Sequence, residues 1–100
     1  MKSSKFIQVI STFSDKEFKE FEKSAVQSFH KNEKLLSFIE FISFHFPDFE
    51  EESISKLNAF RFVYENGEEF EDIKIREMLS ALNKVLKDFL VLHQIKNSDF

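Results

Sequence analysis

Glu33-Lys34-Leu35-Leu36-Ser37-Phe38-Ile39-Glu40-Phe41-Ile42-Ser43-Phe44-His45 decides the fold class of this chain. Asn32 stands before it, an N-cap residue whose side-chain oxygen accepts a backbone N–H of the first turn. Phe46 follows it and precedes Pro47, whose ring drives the preceding residue out of helical geometry. Between these two signals Leu35, Leu36, Phe38, Ile39, Phe41, Ile42 and Phe44 recur at helical spacing. Wound into a helix, they leave a narrow polar strip holding Glu33, Ser37, Glu40 and Ser43. A helix apolar around most of its circumference needs neighbours on several sides, so this one is expected at the centre of a bundle. Phe44 is the exception. At about 3.6 residues per turn it projects on the Glu40 side, inside the polar strip, which makes it the leading candidate for an exposed aromatic.

Upstream, Ser14 and Glu17 have the spacing of a capping box, with Phe13 and Phe18 placed as its hydrophobic staple. The helix they open is expected to run to Gln27 and to bury Phe18, Phe21, Ala25 and Val26. Its other face carries Lys16, Glu17, Lys19, Glu20 and Lys23, a mixed-sign surface suited to solvent. An earlier helix is expected from Ser4 to Thr12, with Phe6, Ile7, Val9, Ile10 and Phe13 mostly on one side. Its polar face has too few cations for a membrane-surface helix. Ser28 to Lys31 reads as a short connection.

Downstream, Pro47 to Glu52 reads as an acidic turn. A fourth helix is expected from Ser53 or Ser55 to Glu65, with Ile54, Leu57, Phe60, Val63 and Tyr64 inward. Asn66-Gly67 fits a left-handed cap at its C-terminus. The same dipeptide is a hairpin signal, and Phe60, Phe62 and Tyr64 alternate as in a strand. Helical spacing that extends upstream to Ile54 favours the helix. The last helix is the longest. Ile75, Met78, Leu82, Val85, Phe89 and Leu92 follow a heptad, Leu79 and Leu86 widen the stripe, and Glu71 and Asp72 sit where acids favour a helix start. It is expected to reach Gln94 or Ile95. A stripe this wide suits a helix clasped within its own domain better than a dimeric coiled coil. The expected architecture is all-α: a compact bundle of five to six helices with a long C-terminal helix and a Phe-rich core, forming one domain over residues 1–100.

Composition narrows the function classes. The 100 residues include 15 Phe, one Tyr and no Trp, an aromatic excess that an AT-rich coding sequence explains as well as selection for a sticky surface does. Net charge is −4, with 14 Lys and Arg scattered among 18 acids. Phosphate contacts dominate nucleic-acid affinity and call for a concentrated basic face, so nucleic acid is disfavoured as a partner. Cysteine is absent, which removes disulfides, thiol catalysis and Cys-ligated zinc and agrees with a cytoplasmic chain. The longest apolar run, Phe89 to Leu92, falls far short of a membrane span. Met1-Lys2-Ser3-Ser4-Lys5 begins as a signal peptide does, but Gln8, Ser11 and Thr12 interrupt the apolar stretch behind it. No membrane partner and no export signal are expected.

Chemistry-bearing motifs are missing. His30, His45 and His93 lie on different elements, without the paired spacing that brings two metal ligands together. Glu50 to Glu52 and the acids between Glu65 and Asp72 do not reproduce the alternating ligands of a calcium loop. The single glycine cannot build a phosphate-cradling loop, and no serine stands in a nucleophile elbow. The chain is expected to be no enzyme and to use no cofactor and no metal.

Three stretches read together carry a family resemblance: Ser11 to Phe21, Ser28 to Leu35, and Phe70-Glu71-Asp72 continuing to Ile75-Arg76-Glu77-Met78-Leu79-Ser80-Ala81-Leu82. In this order they resemble the N-terminal segment of an uncharacterised family of larger, mostly helical bacterial proteins. A Ser-Pro-Phe-Phe-Asn turn is usual there where this chain has Gln27-Ser28-Phe29-His30. The resemblance implies an N-terminal module of a longer polypeptide, or a standalone relative of one, and it lends no functional residues.

The expectation that follows is a non-enzymatic helical domain for protein–protein interaction, an adaptor or assembly module binding a protein partner or itself. Its first candidate patch is Phe44 with Leu36 and Glu40. A helical regulatory or DNA-binding domain is the alternative, with Lys74, Arg76, Lys84 and Lys87 as its basic face. A structural N-terminal cap of a helical repeat array is another.

Overall fold

The computed structural model describes residues 1, 3–64 and 67–93. Five helices occur among them and no strand: α1 (Lys5–Ile10), α2 (Asp15–Ser28), α3 (Glu33–His45), α4 (Lys56–Val63) and α5 (Asp72–Leu92). The start signals act as their chemistry dictates. Ser14 Oγ accepts the Glu17 N–H while the Glu17 carboxylate accepts the Ser14 N–H at 2.8 Å, closing the capping box. Ser4, Asn32 and Ser55 cap α1, α3 and α4 in the same way, each accepting the N–H three residues on. Only α5 starts without a side-chain cap, and Asp72 in its first turn faces the positive end of the helix dipole instead. Helix α3 stops at Phe46, whose extended backbone (φ −73°, ψ 139°) is what a following proline requires.

The hydrophobic staple is relayed. Phe13 and Phe18 both meet Phe21, at 6.4 and 6.5 Å between ring centroids, and Phe13 goes on to Phe89 of α5. Phe18 stacks on Phe46 at 4.1 Å, joining the start of α2 to the end of α3. Nine of the described phenylalanines are buried, among them Phe6, Phe38, Phe49 and Phe60, and each removes on the order of 150–250 Å² from water. They form one continuous core with the aliphatic faces of all five helices.

Several expectations are corrected. Helix α3 packs chiefly on α2 and α4, whereas α5 packs on α1, α2 and α4 and is the hub of the bundle. The reason is length and pattern. Twenty-one residues with Ile75, Met78, Leu79, Leu82, Leu86, Phe89 and Leu90 buried are long enough to meet three other helices. Ile75, Met78, Leu82 and Phe89 of the expected heptad are buried, but Leu92 turns out to solvent with 79% of its surface exposed and Leu90 takes the inward place. Helix α1 ends at Ile10, short of Thr12, and α4 begins at Lys56, leaving Ile54 buried just ahead of it. Leu57 and Val26 are exposed. Helix α4 closes at Tyr64; Gly67 is left-handed as expected (φ 72°) but lies beyond that cap. The expected ends at Glu65 and at Gln94 or Ile95, and the Asn66 half of the turn, lie outside the described residues. The turn after Pro47 is more than an acidic loop. Phe49, at φ 43°, drives its ring into the core with 1% of its surface exposed.

Candidate interaction face

Leu36, Glu40 and Phe44 fall four residues apart on α3 and so form a row along one face of the helix. Leu36 is partly buried against the core, Glu40 is exposed, and Phe44 is 65% exposed. The structure thus brings the three together on one surface. It adds a residue that the sequence did not single out for this face, Phe62 of α4. Its ring meets Phe44 at 5.9 Å and Phe41 at 5.6 Å, and the His45 ring lies 4.7 Å from Phe41. Four aromatic side chains therefore cluster across the α3–α4 seam, with Phe44 at the outer edge. The alternation Phe60, Phe62, Tyr64 that resembled a strand has this origin: on a helix, Phe60 turns to the core while Phe62 leans toward α3.

Beyond Phe44 a cavity of about 170 Å³ opens between the end of α3 and the turn after it, lined by Asp48 and Glu50 along with His45 and Ser53. It sits at the negative end of the α3 dipole. Among the described residues no ion pair engages Glu40, Asp48 or Glu50. Three carboxylates that pair with no cation among the described residues thus stand near Phe44.

The basic face proposed for nucleic acid does not assemble from the four residues named for it. Lys74 is turned to Glu71 at 2.9 Å and Glu68 at 3.5 Å. Its ammonium also lies 4.8 Å from the centre of the Tyr64 ring. Arg76 pairs with Asp72 at 3.3 Å. At about 100° per residue, Arg76, Lys84 and Lys87 share a side of α5 that Lys74 does not. The Glu71 hydrogen bond, reinforced by the Glu71 and Glu68 charges, holds the Lys74 pKa above its ordinary value. The histidines stay apart: His30 faces the Gln27 carbonyl and His93 lies 3.7 Å from Glu20. Among the described residues no three His, Asp or Glu side chains are placed to hold a metal. No described helix is long and apolar enough to cross a membrane.

Comparison with protein-family models, with curated proteins and with solved structures finds no match to this chain.

Proposed function

We propose that this chain is a non-enzymatic protein–protein interaction domain that docks through the Leu36, Glu40 and Phe44 row of α3, widened by Phe62 of α4. One observation carries it: Phe44 remains 65% exposed while its ring edges an aromatic cluster rooted in the core. Burying a phenylalanine in full is worth about 1.5–3 kcal/mol, and most of that is unrealised here. Single exposed apolar residues are ordinary, but a partner covering this one would extend an apolar surface that already exists.

The charge around the ring describes the partner. Glu40, Asp48 and Glu50 stand near it with no ion pair among the described residues, and the α3 C-terminus adds its own negative potential. A protein presenting an apolar socket rimmed by Lys or Arg complements this face in both respects. A second copy of the chain does not. Across a two-fold axis it would set the same acids against each other, in a chain of net charge −4.

Immobilised and exposed to a lysate, the chain is expected to retain a basic protein whose binding is abolished by Phe44→Ser and weakened by Glu40→Lys. Circular dichroism should be unchanged for both variants. Retention of every partner by Phe44→Ser removes the assignment.

A further inference from the structure

Away from the α3–α4 face, a cavity of about 370 Å³ lies where the segment before α1 meets the first turn of α4 and the middle of α5. Its lining holds two cationic side chains, Lys56 and Arg76, together with Met1, whose terminal ammonium feels the Lys56 charge, and no acid. The remaining polar side chains, Ser3, Ser4, Ser80 and Asn83, can each donate a hydrogen bond. Ser4 accepts the Ile7 N–H, which leaves its own hydroxyl hydrogen to give. Ser80 adds a further hydroxyl, four residues on from Arg76 along the same side of α5. Asn83 lines the cavity as well, and its amide has hydrogens to give; its Oδ1 is shut away from solvent with no hydrogen-bond partner among the described residues. A surface so rich in donors is unusual on an acidic chain.

The two cations are held by a single carboxylate just outside the cavity. Asp72 takes Lys56 at 2.9 Å on one oxygen and Arg76 Nε at 3.3 Å on the other. One negative charge cannot neutralise two positive ones, and engagement through Nε leaves both terminal nitrogens of the Arg76 fork for another oxygen. We propose that this cavity binds a small tetrahedral oxyanion of the phosphate type, held by Lys56 and Arg76 with hydrogen bonds from Ser4, Ser80 and Asn83. Asp72 is then an internal competitor: it organises both cations and lowers their net pull on the ligand.

The competition makes the site testable by substitutions of opposite sign. The whole chain, labelled with ¹⁵N, is titrated with inorganic phosphate against sodium chloride at matched ionic strength. Saturable shifts at Arg76, Ser80 and Asn83 are expected in phosphate only. Arg76→Gln abolishes them, and Asp72→Asn tightens binding by about two- to fivefold, the range a single exposed ion pair supplies. A parallel titration with methyl phosphate separates sources: tighter binding of the ester marks a phosphoryl group carried on a larger molecule, equal or weaker binding the free ion. Shifts that fail to saturate, that persist in Arg76→Gln, or that weaken in Asp72→Asn overturn the site. The test is independent of Phe44, so either assignment can fail alone.

Discussion

The rings of Phe44 and Phe62 meet nearly at right angles, with centroids 5.9 Å apart and planes inclined by 75°. An edge-on aromatic pair is worth about 0.5–1.5 kcal/mol beyond area burial, and Phe44 is otherwise 65% exposed. Phe44→Ser is therefore expected to cost no more than about 1.5 kcal/mol of stability. Phe38→Ala, at a fully buried position on the same helix, is expected to cost about 3–5 kcal/mol. Urea unfolding of the two variants measures the difference; equal losses would place Phe44 in the core.

The turn after α3 supports an inverted order of substitutions. Phe49 is buried at a positive φ of 43°, a region in which a side chain with a Cβ is strained by about 1–2 kcal/mol. Both Phe49→Ala and Phe49→Gly empty the same core space, but glycine also relieves the backbone. Phe49→Gly is expected to be more stable than Phe49→Ala by about 1 kcal/mol. Denaturation midpoints of the pair decide it, and the usual ranking with alanine ahead would contradict the local geometry.

Removing the α2 cap isolates one reciprocal pair of hydrogen bonds. Ser14→Ala loses the acceptor for the Glu17 N–H and is expected to cost about 1 kcal/mol. Glu17→Ala removes the partner bond to the Ser14 N–H. The two losses should be less than additive in the double variant, because each bond positions the other.

Acid dependence follows from Asp72. The Lys56 hydrogen bond, aided by the Lys56 and Arg76 charges and opposed by partial desolvation, holds its carboxyl below the ordinary 3.8. A carboxyl lowered on folding stabilises the native state above the ordinary value, and that contribution fades as pH falls through the lowered one. Lys56→Gln is expected to raise the Asp72 midpoint in a carbon-detected NMR titration, and by more than Arg76→Gln does. At the alkaline end Lys74 works the other way. Its raised pKa contributes stability that is complete below 10.5 and lost as pH climbs through the folded value, and Glu71→Gln should lower its midpoint.

Helix identity was legible wherever capping chemistry and apolar period agreed. Ser14 with Glu17, Asn32 and Pro47 placed the ends of α2 and α3 because those signals act within a few residues of themselves. Partner choice was not legible. The rank of α5 over α3 as the hub depends on which faces meet in three dimensions, and Leu92 followed the heptad in sequence yet turned outward in the fold. Phe49 was hidden by its acidic neighbours. Its only signal was an isolated aromatic three residues beyond Phe46. Phe44 and Glu40 could be placed by helical geometry alone, whereas Phe62 joined them only through the packing of α4 on α3. Lys56 and Arg76 stand twenty positions apart, and only the folding of α4 onto α5 brings both to Asp72.

Docking through Phe44 is tested most directly by an NMR titration of the ¹⁵N-labelled chain with a synthetic amphipathic helix bearing Leu on one face and Lys on the other. Shifts are expected to concentrate at Glu40, Phe44, His45 and Phe62, to vanish in Phe44→Ser, and to be absent with a Leu/Glu peptide of the same design. Shifts elsewhere, equal responses to both peptides, or an undiminished response from Phe44→Ser would contradict the assignment of this face.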